Sequence, residues 1–352
     1  MKKITGILAS RSVSVGWCVM ILNLCNLCFG QDIHFSQFSS SPSTLNPAST
    51  GIINGNFRAV CNYKDQWRSF NFPYKTISGS YDMPFYRDLI TDGSLGAGIS
   101  FISDKAGDLD FGTIQVNLSV SANKSLDKNN NLSLGLQGGF AQRSIASDGA
   151  KQHWSNQYDP ASTEGYDPIT PSGETNPMEN FSYGDFATGI LWNYTGNTLK
   201  AHAGIALFHL NKPKQSFFST NEKLYSKLVI HGGSKIDMKN SNVSFLPRIL
   251  ILTQGPTHEI NLGALIKYRL QEKSKYTGEI DEMAVYFGGW YRFSDAFILN
   301  AGLDFKNFAL GISYDVNVSK LNVATASRGG FEFSLIYIQP FAASRNTASP
   351  LM

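Results

Sequence analysis

Charge is scarce in this 352-residue chain: Asp, Glu, Lys and Arg make up 16% of it. The formal net charge of +3 falls to near zero once Lys2, Lys3 and Arg11 at the N-terminus are set aside. No basic stripe remains, which excludes a nucleic-acid footprint. Long apolar runs are also missing. The stretch from about residue 13 to 29 is short for a membrane-spanning helix and is broken by Asn23 and Asn26. Of four cysteines, Cys18, Cys25 and Cys28 crowd into the first thirty residues, so beyond them Cys61 is alone and no internal disulfide can form. The signatures of common chemistries are absent too: no G-x-S-x-G, no P-loop, no H-E-x-x-H and no Cys–His metal spacing. No catalytic, cofactor or metal residue is therefore assigned.

What the chain does contain is Gly (32 residues), Phe (24) and Tyr (15), with a repeating two-residue alternation. Ile114, Val116, Leu118 and Val120 alternate with Thr113, Gln115, Asn117 and Ser119. Ile260, Leu262, Ala264, Ile266, Tyr268 and Leu270 alternate with Asn261, Gly263, Lys267 and Arg269, with Leu265 the apolar exception. Phe308, Leu310, Ile312, Tyr314 and Val316 do the same against Ala309, Gly311, Ser313 and Asp315. Successive side chains of a strand face opposite sides, so each segment has one apolar and one small or polar face. The mean hydropathy lies just below zero. That excludes a helical membrane protein but suits a barrel whose strands each give half their side chains to a polar lumen.

The pattern predicts an all-β protein, a transmembrane antiparallel β-barrel of about fourteen strands. They are placed at 57–67, 74–83, 94–103, 110–122, 131–142, 183–193, 198–210, 223–235, 243–253, 257–270, 281–293, 295–305, 306–317 and 329–341. Residues 1–30 read as a secretory signal peptide, with a basic start and Cys28-Phe29-Gly30 before a cleavage site. A retained anchor helix and a lipoprotein signal are the disfavoured rivals. Residues 31–56, Ser-rich with Pro42, Pro47 and Asn54-Gly55, read as an irregular segment at or in the barrel lumen. The barrel is expected over 57–341 and a tail over 342–352. The turns at 127–130 and 254–256 read as periplasmic hairpins. The connector 144–182 is the longest and belongs on the outer face.

Aromatics near predicted strand ends read as lipid-interface girdles rather than soluble core: Tyr63 and Trp67, Trp192 and Tyr194, Phe287, Trp290, Tyr291 and Phe293, and Phe331, Phe333, Tyr337 and Phe341. Cys61 reads as a small buried or lipid-facing side chain. Glu259, Lys267, Arg269, Arg292, Asp304 and Glu332 fall at or near lumen parity, as a salt-bridge network or the wall of a selective pore. Asn62, Gln66 and Asp315 could pin the 31–56 segment. His153 and Ser155 form a weak hydrolase pairing, and Glu279, Asp281 and Glu282 read as a solvated turn rather than a calcium loop.

Six stretches, in order, carry a resemblance. They are Asp32-Ile33-His34-Phe35-Ser36-Gln37-Phe38; Leu45-Asn46-Pro47-Ala48 with Gly51; and Arg58 to Trp67, with Lys64 where Arg is more typical. Then come His209-Leu210-Asn211-Lys212-Pro213 with Gln215-Ser216-Phe217; Ser313-Tyr314-Asp315 through Ser319; and Gly330-Phe331-Glu332. Together they resemble the PorP/SprF family of type IX secretion and gliding-motility outer-membrane proteins. The chain departs from that pattern by continuing to Met352. The resemblance implies a non-enzymatic barrel in the outer membrane of a Gram-negative bacterium, in contact with its lipids and without a cofactor. It also implies partners: secretion components, including a periplasmic peptidoglycan-binding lipoprotein, and a large secreted surface adhesin whose export or attachment the barrel supports. The rival readings are a passive porin for a small solute, a surface hydrolase and a secreted β-sandwich.

Overall fold

A computed structural model of the chain describes residues 32–66, 74–86, 92–107, 111–145, 154–162, 165–167, 169–171, 180–216, 222–271, 283–319 and 327–341. The expected signal peptide and C-terminal tail lie outside the described residues. From Ile33 onward the chain is one compact unit.

Fourteen strands form, where fourteen were expected. They are β1 Phe57–Gln66, β2 Tyr74–Phe85, β3 Gly93–Ala106, β4 Phe111–Ser125, β5 Asn130–Ser144, β6 Phe181–Thr195 and β7 Leu199–Phe208; then β8 Lys227–Asp237, β9 Val243–Gln254, β10 Thr257–Gln271, β11 Met283–Arg292, β12 Ala296–Phe305, β13 Phe308–Asn317 and β14 Arg328–Gln339. Each pairs antiparallel with its sequence neighbours, and β1 pairs with β14, so the sheet closes and leaves no free edge.

The two faces are inverted relative to a soluble protein. On β4, Ile114, Val116, Leu118 and Val120 are exposed on the outer wall, while Thr113, Asn117, Ser119 and Ser121 are buried within. Leu118 is 64% exposed and Ser119 4%. A secreted sandwich would show the reverse, so the apolar face is solvated by lipid. The exposed Cys61 lies on that face, between Gly79 and Leu335 of the neighbouring strands. Aromatic pairs gather at both ends of the wall. Tyr291 packs on Phe293 and Phe297 at one end, and Phe57 and Phe308 pack on Tyr337 at the other. Trp290 corrects the girdle expectation: it is buried inside, edge-on to Phe38 with ring centroids 5.9 Å apart. Trp67 lies outside the described residues.

The strand count settles which connectors share an end. One end carries the N-terminus of β1 and the C-terminus of β14; the other, the loop end, carries connector 145–180. The turn at 126–129 is at the terminus end. There the Asp127 carboxylate accepts from the main-chain N–H groups of Asn129 and Asn130 and from the Asn130 amide. Those donors, Asn129 foremost, hold its carboxyl below the ordinary carboxylate range. The turn at 255–256, also expected to be periplasmic, lies instead at the loop end with the long connector. Its length is misleading because connectors alternate ends strictly in an up-and-down barrel.

The inverted faces have a measurable consequence. Leu118→Arg, near mid-wall, should destabilise the barrel in lipid vesicles by about 2–4 kcal/mol. Ser119→Ala, which removes one internal bond from the Gln137 amide at 2.9 Å, should cost about 0.5–1.5 kcal/mol. Urea titration in vesicles measures both, and equal costs would contradict the assignment of faces.

Candidate functional site

The segment before β1 runs inside the barrel from the loop end to the terminus end. It is built of short pieces because Pro42 and Pro47 interrupt it: a 3-10 turn Phe38–Ser40, one helical turn Pro42–Leu45, and a second 3-10 turn Pro47–Ser49. Such a chain leaves its main-chain donors and acceptors unsatisfied, and the barrel wall supplies the partners.

The first anchor is at the loop end. Glu332 of β14 accepts from two successive main-chain N–H groups, Ser36 at 2.7 Å and Gln37 at 2.9 Å. Lys64, opposite it on β1, sits 3.2 Å from the same carboxylate and donates to the His34 carbonyl at 3.0 Å. The Gln37 side chain completes the grip, donating to the Glu332 main-chain oxygen and accepting from Ser334. On the next strand Asp315 accepts from the Ser36 hydroxyl at 2.7 Å and from Arg292 at 2.6 Å. Arg292 also donates to the Ser36 oxygen and to Asp295. His34 Nε2 lies 3.3 Å from Glu259, which Asn261 also contacts. Glu332 and Asp315 are each 1% exposed. Buried charges persist only when paired and hydrogen-bonded, as these are. The other side of the segment is apolar. Phe38, with Leu45 beside it, packs on a buried patch that includes Trp290, Leu265, Ile298 and Val229. Leu265, the break in the β10 alternation, is thus an inward leucine serving this patch.

The second anchor is Asn46. Its amide oxygen accepts from Ala48 N–H at 2.9 Å, and its nitrogen donates to the Ile190 carbonyl at 3.0 Å. The same nitrogen lies 3.1 Å from His231 Nε2. With the amide so oriented, the histidine nitrogen is the acceptor. This approach needs bare backbone in the wall. A Cβ at Gly189 would stand 2.0 Å from the Asn46 oxygen, and one at Gly135 would stand 2.2 Å from Ala48 N.

The third anchor is at the terminus end. Gly51, with φ +69°, donates its N–H to Asp82 at 2.7 Å. Asp82 receives Arg58 through two bonds of 2.9 and 2.8 Å, and Arg58 also donates to the Ser49 carbonyl. Ser121 donates to the Thr50 carbonyl at 2.6 Å, and Asn56 N–H donates to Gln339 at 2.7 Å as β1 begins.

Sequence reading placed several of these groups without their partners. Glu259, Arg292 and Glu332 all belong to the first anchor. Lys267 and Asp304 pair with each other at 2.5 Å instead, and Arg269 is inward and half-buried. Asp315 pins the segment, and the Asn62 amide donates to the Ser40 carbonyl at 3.3 Å. Gln66 makes no bond to the segment, because it ends β1 beyond the reach of Ser36. The roles of Ser36, Gln37, Asn46, Arg58, Asp82 and His231 were not foreseen. Ser36 and Glu332 are 296 positions apart, and no local pattern joins them. His153, Glu279, Asp281 and Glu282 lie outside the described residues, while Ser155 is exposed in a 3-10 turn. No group of metal-binding side chains occurs among the described residues.

Two further features border the lumen at the loop end. His209, in the left-handed region at φ +56°, is buried against Asp185 with 2.9 Å between Nδ1 and the carboxylate. Asn211 donates to the Gly184 carbonyl, so the His-x-Asn-x-Pro stretch is a rigid corner after β7. The long connector has a folded part. Tyr158 and Tyr166 bridge and meet edge-on at 5.9 Å, and buried Gln157 donates to the Thr170 carbonyl at 2.9 Å. Asp167 accepts from Thr170 and Ile169, which holds its carboxyl below the ordinary range. Tyr158 and Ile169 project outward, Ile169 being 89% exposed.

Comparison with known proteins gives a family and an architecture. Residues 27–337 match the family described as type IX secretion system membrane protein PorP/SprF. Similar solved structures include the Ralstonia pickettii toluene transporter TbuX, at 11% identity and TM-score 0.49, covering 89% of this chain and 96% of that one. The CymD monoaromatic hydrocarbon channel is 11% identical at TM-score 0.47, covering 89% and 95%. A Pseudomonas aeruginosa FadL homologue is 10% identical at TM-score 0.44, covering 85% and 94%. No curated protein matches the chain.

The anchors make the segment testable. Asp315→Asn with Glu332→Gln removes both carboxylate charges but keeps side-chain shape. Proteinase K should then cut before residue 57, after Phe35 or Phe38, in a barrel that still runs fast on unheated gels. Gly189→Ala should expose the same sites by displacing Asn46, with no change of charge. Unchanged protection in both variants would show that the anchors do not hold the segment.

Proposed function

This chain belongs to the PorP/SprF family of type IX secretion system membrane proteins, and we propose that it works as a plugged, non-catalytic dock in the outer membrane. Its location there follows from the family and from a closed barrel with a lipid-facing wall. The observation that carries the docking reading is the threaded lumen. Residues 33–56 are tied to the wall at three heights, so the interior is spent on holding its own chain. The surfaces left for partners are the connectors.

In this reading the signal peptide is removed after Gly30 and the loop end faces outward. The folded part of connector 145–180 presents Tyr158 and Ile169 to a secreted adhesin or to the export machinery. The terminus-end turns face the periplasm, where a peptidoglycan-binding lipoprotein of the secretion system is the expected partner. The barrel performs no chemistry of its own. The rival porin reading requires a continuous aqueous path, and the segment lies across it.

Affinity capture of the tagged full-length protein from detergent-solubilised outer membranes, followed by mass spectrometry, tests the dock. A large adhesin or secretion-machinery components should be recovered. Replacing 154–171 with a Gly-Ser linker should lose the outer partner and leave the barrel intact. A barrel recovered without partners, with steady single-channel conductance in planar bilayers, would favour the porin instead.

A further inference from the structure

The outer wall is almost devoid of charge, and the exceptions are grouped. Among described strand residues whose register fixes them outward, the charged ones are Asp65, Lys75, Lys105 and Lys124. Arg328 starts β14 beyond the bulge opposite Asp315, where register does not fix its face. Lys75 of β2 and Lys105 of β3 are direct cross-strand partners, both exposed, in the row at the loop end. Like charges directly opposite one another destabilise a sheet unless something neutralises them. Neither ammonium has a protein partner among the described residues. Asp65 is the register partner of Lys75 on its other side, yet its carboxylate is turned to the Tyr63 hydroxyl at 3.4 Å. Its second oxygen is buried without a partner among the described residues.

The height of this row matters as much as its charge. Below it the outward residues of β2 and β3 are Ile77, Gly79, Tyr81, Met83 and Phe85, with Ser103, Phe101, Ile99, Ala97 and Leu95 beside them. From Lys75 to Phe85 the strand advances about 33 Å, or about 25 Å along the membrane normal at a tilt near 40°. That is the height of the apolar band of an outer-membrane barrel. Lys124 stands beside Gly93 at the far side of the band. The lysine pair therefore lies at the hydrocarbon boundary, the level of lipid headgroup phosphates. A phosphate there would meet both ammoniums, and its like-charged neighbour would be Asp65.

We propose that Lys75 and Lys105 form a receptor on the outer wall for a phosphate of a phosphorylated glycolipid in the outer leaflet. The choice of leaflet rests on the outward orientation of the loop end given above; the choice of a lipid phosphate does not. Bound there, the lipid would neutralise the opposed cations and join β2 to β3 beside the β1–β14 seam.

Native mass spectrometry of the full-length protein in detergent tests this. Lipid A, phosphatidylglycerol and a neutral diacylglycerol are offered in turn. Lipid A should be retained in preference to diacylglycerol, and Lys75→Gln with Lys105→Gln should weaken that retention about tenfold. Lys75→Arg with Lys105→Arg should restore it, and Lys124→Gln should leave it unchanged. All variants are first shown to be folded by heat-dependent gel mobility. Equal retention by wild type and the double Gln variant would overturn the proposal, as would binding that ignores phosphate. Lysine-dependent retention of phosphatidylglycerol without lipid A would keep the phosphate receptor but overturn both its assignment to the outer leaflet and the outward orientation of the loop end.

Discussion

A single buried carboxylate that accepts two successive main-chain N–H groups holds the inside of this molecule to its wall. Glu332 does more than pair with a cation. It takes Ser36 and Gln37 by their backbone, so the contact reads the path of the segment as well as its side chains. Hydrogen bonds to a charged group contribute about 1.5–3 kcal/mol each, more than neutral ones. The same carboxylate could not sit there alone, because an unpaired buried charge costs several kcal/mol. Lys64 and the segment therefore satisfy Glu332 jointly, and removing either leaves a charge inside the barrel incompletely compensated. Arg292 and Asp315 repeat the arrangement around the Ser36 hydroxyl. The polar lumen that makes a lipid-facing wall possible thereby creates the need for an internal ligand, and the chain supplies its own.

The wall was legible in the sequence because its rule is local. Alternation at a period of two marks each strand, and a membrane barrel repeats it without the confusion of a mixed core. The exceptions to alternation were the informative residues. Leu265 broke the pattern because it faces Phe38, and Trp290 looked like an interface aromatic because its neighbours Tyr291 and Phe293 are exposed on the wall. The interior was legible only in part. Inward parity identified Glu259, Arg292, Asp315 and Glu332 as lumen groups. It could not say which were joined, since their partners are set by barrel closure rather than by spacing. The glycine seats were invisible for a different reason: Gly135 and Gly189 look like ordinary small strand residues until Asn46 and Ala48 are seen against them. The 255–256 hairpin was misplaced because turn length was given more weight than strand parity.

The motifs that carry the family resemblance acquire physical meaning once the segment is in place. Phe35-Ser36-Gln37-Phe38 is the ligand, and Glu332 and Asp315 from the two C-terminal stretches are its receptor. Asn46-Pro47-Ala48 is the part that rests on bare backbone, and Arg58 binds the carboxylate that holds Gly51. Stretches from opposite ends of the chain thus form one site. The His209 corner stands apart, since it shapes the base of an outer connector and touches none of the three anchors.

Closure and threading are coupled by geometry. Lys64 and Glu332 are register partners across the β1–β14 seam, the one pairing that joins the two ends of the sheet. Until that seam forms, the two halves of the first anchor are on opposite edges of an open sheet. Once it forms, a segment left outside would have to pass a crowded lumen end to reach them. The segment is continuous with β1 and bonded to the end of β14 through Asn56 and Gln339, so it is already at the seam as the edges meet. The energetically consistent order is therefore for the segment to lie across the open sheet first and for Lys64 and Glu332 to close over it. The plug then acts as part of the seam, stabilising the closed barrel by occupying the carboxylate that closure buries.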